Sequence, residues 1–358
     1  MGRSRDLSEV ATAFDAGSLG YRNKIINGAM QIDQRNAGAS VSGNGDFPVD
    51  RFRAFQNTSA TYTAQRSTTA PSNYSNSLLF TVGSAASATA AQYAGIETRL
   101  EGFNVADIGF GTSACKPVAL SFVVRSSVTG TYCVSLTNSA NNRVYVAEYT
   151  ITSADTFETK SITVPAITSG TWLTDNGIGV KVWFDLGSGT DRNTTASAWQ
   201  TNGPYTRTTN QTNFINNAGA TFYITGVQLE VGETATPFEH RPFGTEFALC
   251  QRYYETSKGY SGGDNRVRWN GSTDQSSNFT CQTRYAVQKR TTPTQYYFKT
   301  DGTSAGSVAV AGSGVSGDRT ANVWNQSGAQ FSFYVSFGSA YNWGSGFVEG
   351  QWIADAEL

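Results

Sequence analysis

The chain has 358 residues, 39% hydrophobic and 13% aromatic, which is enough for two or three packed cores and excludes a disordered polymer. Only 15% are charged, against roughly 25% in an ordinary globular protein, so its polar surface is built from Ser, Thr, Asn, Gln and Gly. Twenty-six Lys and Arg stand against 27 Asp and Glu, so no net charge steers the chain toward nucleic acid or an anionic membrane.

Residues 1–20 carry Leu7, Val10, Ala11 and Phe14 at helical spacing behind Asp6, with Gly17 and Gly20 ending the pattern. This predicts one short amphipathic helix, whose stripe packs on its own domain or docks to another subunit or protein. No segment has the apolar core of a secretory signal or the roughly 18 apolar residues of a membrane span, so no membrane insertion is expected and synthesis in the cytoplasm is. From Tyr21 to Phe55 turn signals at Asn27-Gly28 and Gly43-Asn44-Gly45 separate short apolar runs. Tyr62, Leu78, Phe80 and Val82 then alternate in a Ser/Thr/Ala-rich stretch that still permits two strands.

The central run is clearest: Val118, Leu120, Phe122 and Val124 alternate with Ala119, Ser121, Val123 and Arg125, and Thr129-Gly130 turns the chain into the alternation of Tyr132, Val134 and Leu136. Arg143–Ile151, Thr159–Val164 and Ile178–Leu186 repeat the period of two. Thr221–Val231 closes the series, and Pro237 and Pro242 imply an extended tether behind it. Phe247, Leu249, Cys250, Tyr253 and Tyr254 then sit at roughly helical spacing with Thr245 as N-cap. Further strands are expected from Phe279 to Val287, at Tyr296–Lys299, from Phe331 to Phe337 and over Gly346–Leu358. Short strands with Gly- and Asn-rich connections predict an all-β fold: a jelly roll or β-sandwich over 21–244, a linker helix over 245–258 and a smaller β-sandwich over 259–358.

The motifs of enzyme chemistry are absent or out of context. Gly312–Gly317 matches GxGxxG with no helix behind it, and Gly259–Gly263 matches GxSxG although the one histidine, His240, precedes it. Four scattered cysteines without a CxxC read as buried thiols, and no metal or cofactor is expected. Calcium near Asp46–Asp50 or Asp185–Asp191 would lack an EF-hand loop.

The string GATFYITGVQLEVGETATPFEHRPFGTEFALCQRYYE, with NKIINGAMQIDQRN, FPVDRF, GFNVADIGFGTSACKPVALSFVVRSSVTGTY and TSGTWLTDNGIGVKVWFDLGSGT before it, resembles tail-fibre-like structural proteins of tailed bacteriophages and prophages. Beyond Gly259 only RTTPTQYY and ADAEL continue the likeness. The resemblance implies a carbohydrate-binding-module-like jelly roll, usually trimeric and displayed on a virion.

Aromatic placement supplies the candidate site. Trp183 sits on the polar side of its strand between Lys181 and Asp185, where a sugar ring would stack on the indole while Lys181 and Asp185 bond hydroxyls; a second sheet, loop or subunit covering it is the alternative. Tyr260, Trp269, Trp324, Tyr341 and Trp343 fall in Gly/Asn/Ser-rich stretches that read as recognition loops. The expectation is a non-catalytic, homotrimeric virion fibre that binds a bacterial surface glycan and contacts other virion proteins through Leu7, Val10, Ala11 and Phe14. The alternatives are a glycan-depolymerising enzyme and a purely architectural decoration protein.

Overall fold

In the computed structural model residues 21–257, 267–271, 278–299, 306–312, 315–336 and 346–358 are described; Leu7, Val10, Ala11, Phe14, Tyr260, Tyr341 and Trp343 lie outside them. The chain divides into two compact units, Met1–Pro242 with Leu358, and Phe243–Glu357.

The first unit contains β1 (Phe52–Gln56), β2 (Tyr62–Ser67), β3 (Ser77–Val82), β4 (Ala94–Glu101), the one-turn α1 (Gly102–Val105), β5 (Val118–Ser126), β6 (Gly130–Thr137), β7 (Arg143–Ile151), β8 (Glu158–Val164), β9 (Ile178–Asp185), β10 (Trp199–Thr201) and β11 (Thr221–Val231). They form a six-stranded sheet, β1-β4-β9-β6-β7-β10, and a five-stranded sheet, β2-β3-β11-β5-β8, paired antiparallel throughout. The period of two does the folding: Leu120, Phe122 and Val124 from one sheet and Val134, Leu136, Val182 and Phe184 from the other are fully buried in one shared core. This is the expected all-β, jelly-roll-like sandwich.

Two features were not expected. Strand β4 shows no clean alternation because both of its faces are covered, Glu97, Thr98 and Glu101 included. Strand β11 breaks register between Thr225 and Gln228, where Gly226 takes φ +61° and Tyr74 lies so close that a β-carbon on Gly226 would meet its hydroxyl at 2.5 Å. The tether is pinned to its own unit: Glu239 N donates to Gln228 Oε1 at 2.8 Å, Thr236 N donates to Glu230 Oε1 at 2.8 Å, and Asn23 N donates to Glu239 Oε2 at 2.9 Å.

The second unit opens with α2 (Phe243–Gln251), which begins two residues before the expected cap and stops where β12 (Tyr254–Thr256) pairs with the C-terminal strand. Then follow β13 (Val267–Gly271), β14 (Asn278–Arg284), β15 (Thr294–Phe298), β16 (Ser307–Gly312), β17 (Val315–Gln326), β18 (Gln330–Ser336) and β19 (Gly346–Asp355). Strand β19 pairs with β13 and β16 over its first half and with β12 and β15 over its second, and β17 passes likewise from β16 to β18. The two long strands therefore wrap the sheet around Trp269, Phe279, Tyr297, Phe331, Phe333 and Trp352.

Cys133 and Cys281 are buried on β6 and β14 with thiols pushed up by burial, Cys250 is buried in α2, and Cys115 is half-buried; Cys115, Cys133 and Cys281 form no disulfide. Among the described residues no helix is long and apolar enough to cross a membrane.

Candidate functional site

The outward face of the six-stranded sheet carries the site. Antiparallel register lines up Arg53, Glu97, Trp183, Ser135 and Val146 in one row across β1, β4, β9, β6 and β7. Arg99, Lys181, Thr137 and Val144 form the next row, and Phe55, Gly95, Asp185, Cys133 and Glu148 the one on the other side. Above these rows lies a cleft of about 250 Å³, walled by the segment that carries Arg192, Tyr205 and Thr206.

Trp183 is half-buried at the centre. Phe55 lies 5.9 Å and Tyr93 5.8 Å from its ring centre, and the Arg192 guanidinium sits 5.0 Å over Tyr93. Gly95 makes the floor: a β-carbon there would stand 2.7 Å from the indole ring and 2.4 Å from the Phe184 carbonyl, so only glycine lets the indole lie down on β4. Tyr205 packs over Cys133, Val144 and Val146, a small apolar patch on the same outward face. Neighbouring aromatics thus cover part of the Trp183 ring, and the rest opens into the cleft.

Lys181 also lines the cleft, its Nζ donating to Asn141 Oδ1 at 2.8 Å and to the Ser139 carbonyl at 3.2 Å. Burial lowers its pKa below the ordinary lysine range, Glu97 working against this and Arg99 with it. Glu97 and Arg99 face each other as an ion pair at 3.1 Å. Ser135 is 1% exposed, lines the cleft, and its hydroxyl has no hydrogen-bond partner.

Asp185 has a different place from the one expected of it. It is 0% exposed, and six donors fill its oxygens: Gly187 N and Ser188 N, each at 2.9 Å, Thr206 Oγ1 at 2.5 Å, Trp183 Nε1 at 3.3 Å, Ser188 Oγ and Gln211 Nε2. A carboxylate so occupied does not bond a sugar hydroxyl; it ties the cleft wall and the indole to the sheet. The donors also leave no face open for a cation, and among the described residues no group of three His, Cys, Asp or Glu is placed to hold a metal.

In the second unit Trp269 is a correction. It lies on β13, 6% exposed, its ring edge-on to Phe333 at 5.0 Å and its Nε1 donating to Thr283 Oγ1 at 2.7 Å, so it is core and not a recognition residue. Trp324 is 68% exposed on a strand, not a loop: register shifts between Val323 and Asn325, and this bulge turns the indole outward beside Thr280, Gln282 and Ser332. Sequence reasoning missed Phe55, Tyr93, Glu97, Arg99, Ser135 and Arg192. The legible signal was Glu97 and Arg99 two apart in a run flanked by Ile96 and Leu100; nothing local marks the others.

No family model and no curated protein matches the chain. Among solved structures it is similar to the enzymatically active domain of bacteriophage CBA120 tailspike protein 4, at 13% identity over 59% of this chain and 22% of that one, with a TM-score of 0.32. It is similar to a family 11 carbohydrate-binding module from Clostridium thermocellum in complex with a β-1,3-1,4-mixed-linked tetrasaccharide, at 13% identity over 56% and 98%, TM-score 0.30. A xylan-binding domain of carbohydrate-binding module family 22 gives 16% identity over 56% and 100%, TM-score 0.28. The chain thus spans about a fifth of the tailspike domain it matches.

Proposed function

We propose that the chain is a non-catalytic glycan-binding protein whose first unit holds a saccharide in the Trp183 cleft. The observation that carries this is a half-buried indole opening into a sugar-sized cleft with a pre-built floor at Gly95, ringed by Lys181, Glu97, Arg99 and the unpartnered Ser135 hydroxyl. Aromatic stacking with a few fixed polar groups is the way a protein grips a ring that carries hydroxyls on its rim. Hydrolysis is disfavoured by the same lining: glycoside cleavage needs two carboxylates, and the cleft offers Glu97 alone, already paired with Arg99. Trp324, beside hydroxyl and amide side chains, gives the second unit a platform of the same chemistry.

The setting follows from the sequence segments that resemble tail-fibre-like proteins: a virion appendage, trimeric, docked through residues 1–20, so that weak sites on three chains act together on a host surface. The test is titration of the full chain with bacterial surface polysaccharides. Trp183→Ala should weaken binding at least tenfold, about 1.4 kcal/mol, with the β-sandwich still folded by circular dichroism. Equal binding by Trp183→Ala and the parent chain refutes the cleft as the site, and sedimentation equilibrium giving a stable monomer removes the trimer.

A further inference from the structure

The cleft has a charge imbalance that a neutral sugar leaves unanswered. Its lining holds three cations, Arg99, Lys181 and Arg192, against one carboxylate, Glu97, a formal surplus of two. Glu97 is committed to Arg99 at 3.1 Å, and Arg53 stands in register beside it on β1. Asp185, the next carboxylate, lies buried under the indole; counted formally it lowers the surplus to one, but its oxygens are filled by neutral donors and it pairs with neither Lys181 nor Arg192.

Lys181 and Arg192 have only neutral hydrogen-bond partners. The Lys181 ammonium has three N–H bonds and two protein acceptors, Ser139 O and Asn141 Oδ1, neither charged. Arg192 donates to the carbonyls of Pro204 at 3.2 Å and Ala91 at 3.1 Å, and its Nε is buried with no partner. A cation set into a cleft with no carboxylate in contact with it is costly unless an anion arrives there. Lys181 and Trp183 lie two residues apart on one face of β9, about 7 Å along the strand, so a substituent of a sugar stacked on the indole comes within reach of the ammonium.

We infer that the cleft selects an acidic glycan, a polymer whose sugar carries a carboxylate or a comparable ring substituent, with Lys181 as the anion-binding residue and Arg192 as its second contact. This rests on the glycan-binding reading above and names the class of saccharide. The carboxylate would take the third N–H of Lys181, while the buried Ser135 hydroxyl would bond the ring rim.

The experiment is calorimetric titration of the full chain with oligosaccharides of hyaluronan, polygalacturonate and alginate, each in native and carboxyl-reduced form, with mixed-linkage β-glucan oligosaccharides as the neutral series. The inference expects at least one native uronate to bind, its carboxyl-reduced form to bind at least tenfold more weakly, and the native affinity to fall as salt is raised. Lys181→Met should narrow that preference, lowering affinity for the native form at least tenfold more than affinity for the reduced form. A reduced form that binds as well as its parent overturns the inference, as does a Lys181→Met loss shared equally by both forms. Binding confined to the neutral series, and lost in Trp183→Ala, also overturns it while leaving the glycan-binding reading intact. Binding by none of the three series, charged or neutral, counts against both.

Discussion

Asp185 offers the sharpest test of how the cleft is held. Its six donors divide by whether they can turn: the hydroxyls of Ser188 and Thr206 rotate and the Gln211 amide flips to become acceptors, whereas the backbone N–H groups of Gly187 and Ser188 and the indole N–H of Trp183 cannot. In Asp185→Asn the new NH₂ takes the Oδ2 side, where both hydroxyls can accept from it and only the Trp183 N–H faces another donor. The loss is that one clash plus the difference between charged and neutral hydrogen bonds, about 1–3 kcal/mol. Asp185→Ala strands all three fixed N–H groups at about 1–3 kcal/mol each, which entering water reduces to about 3–5 kcal/mol in total. Because the two units need not unfold together, the measurement is hydrogen exchange resolved by peptide, in rising urea. Residues 187–211 should lose protection in both variants, more in Asp185→Ala, with β12–β19 unchanged, and glycan affinity should fall in step. An Asp185→Ala protein less than about 1 kcal/mol weaker than its parent would refute the argument that buried N–H groups without acceptors are what holds the wall.

Three further outcomes follow from the same structure. Lys289, its side chain fully buried, bonds the Gln251 carbonyl at 2.6 Å, the Val287 carbonyl at 3.1 Å and the Glu255 carboxylate, and burial lowers its pKa; Lys289→Ala should destabilise the second unit by about 3–5 kcal/mol, and Lys289→Met with Glu255→Gln by less than that single change, in a double-mutant cycle by urea unfolding. Burial works to raise the Glu158 carboxyl, but the Lys160 ammonium and the N–H groups of Thr152 and Ser153 draw it from 4.5 down to about 2, so its stabilisation is complete above pH 4.5 and is lost as pH falls toward 2; Glu158→Gln should flatten melting temperature against pH across that window. Trp269→Ala should cost about 3–5 kcal/mol as a core cavity and Trp324→Ala nearly nothing, while only Trp324→Ala should reduce adsorption to a polysaccharide surface.

The sequence by itself determined the fold class and the positions of most strands, because alternation of apolar and polar residues is a local property fixed by the two-residue repeat of the pleat. That is how β5, β6, β7 and β9 were legible, and how Trp183 could be placed on the outward face beside Lys181. Strand β4 was not legible, since a strand covered on both faces no longer alternates, and β17 was not, since Gly and polar residues on a strand look like a loop until their partners are known. Only the tertiary structure decided the site. Register across three adjacent strands brought Glu97, Ser135 and Lys181 to one row or the next, and a long connection folded back to set Arg192 over Tyr93. The same connection buried Asp185, whose side chain organises the wall, and in the second unit the pairing of β13 with β19 put Trp269 in the core while a one-residue bulge turned Trp324 out. A strand's own residues tell which side of the sheet each side chain takes; what covers that side is settled by residues distant along the chain, and burial and charge balance depend on that cover.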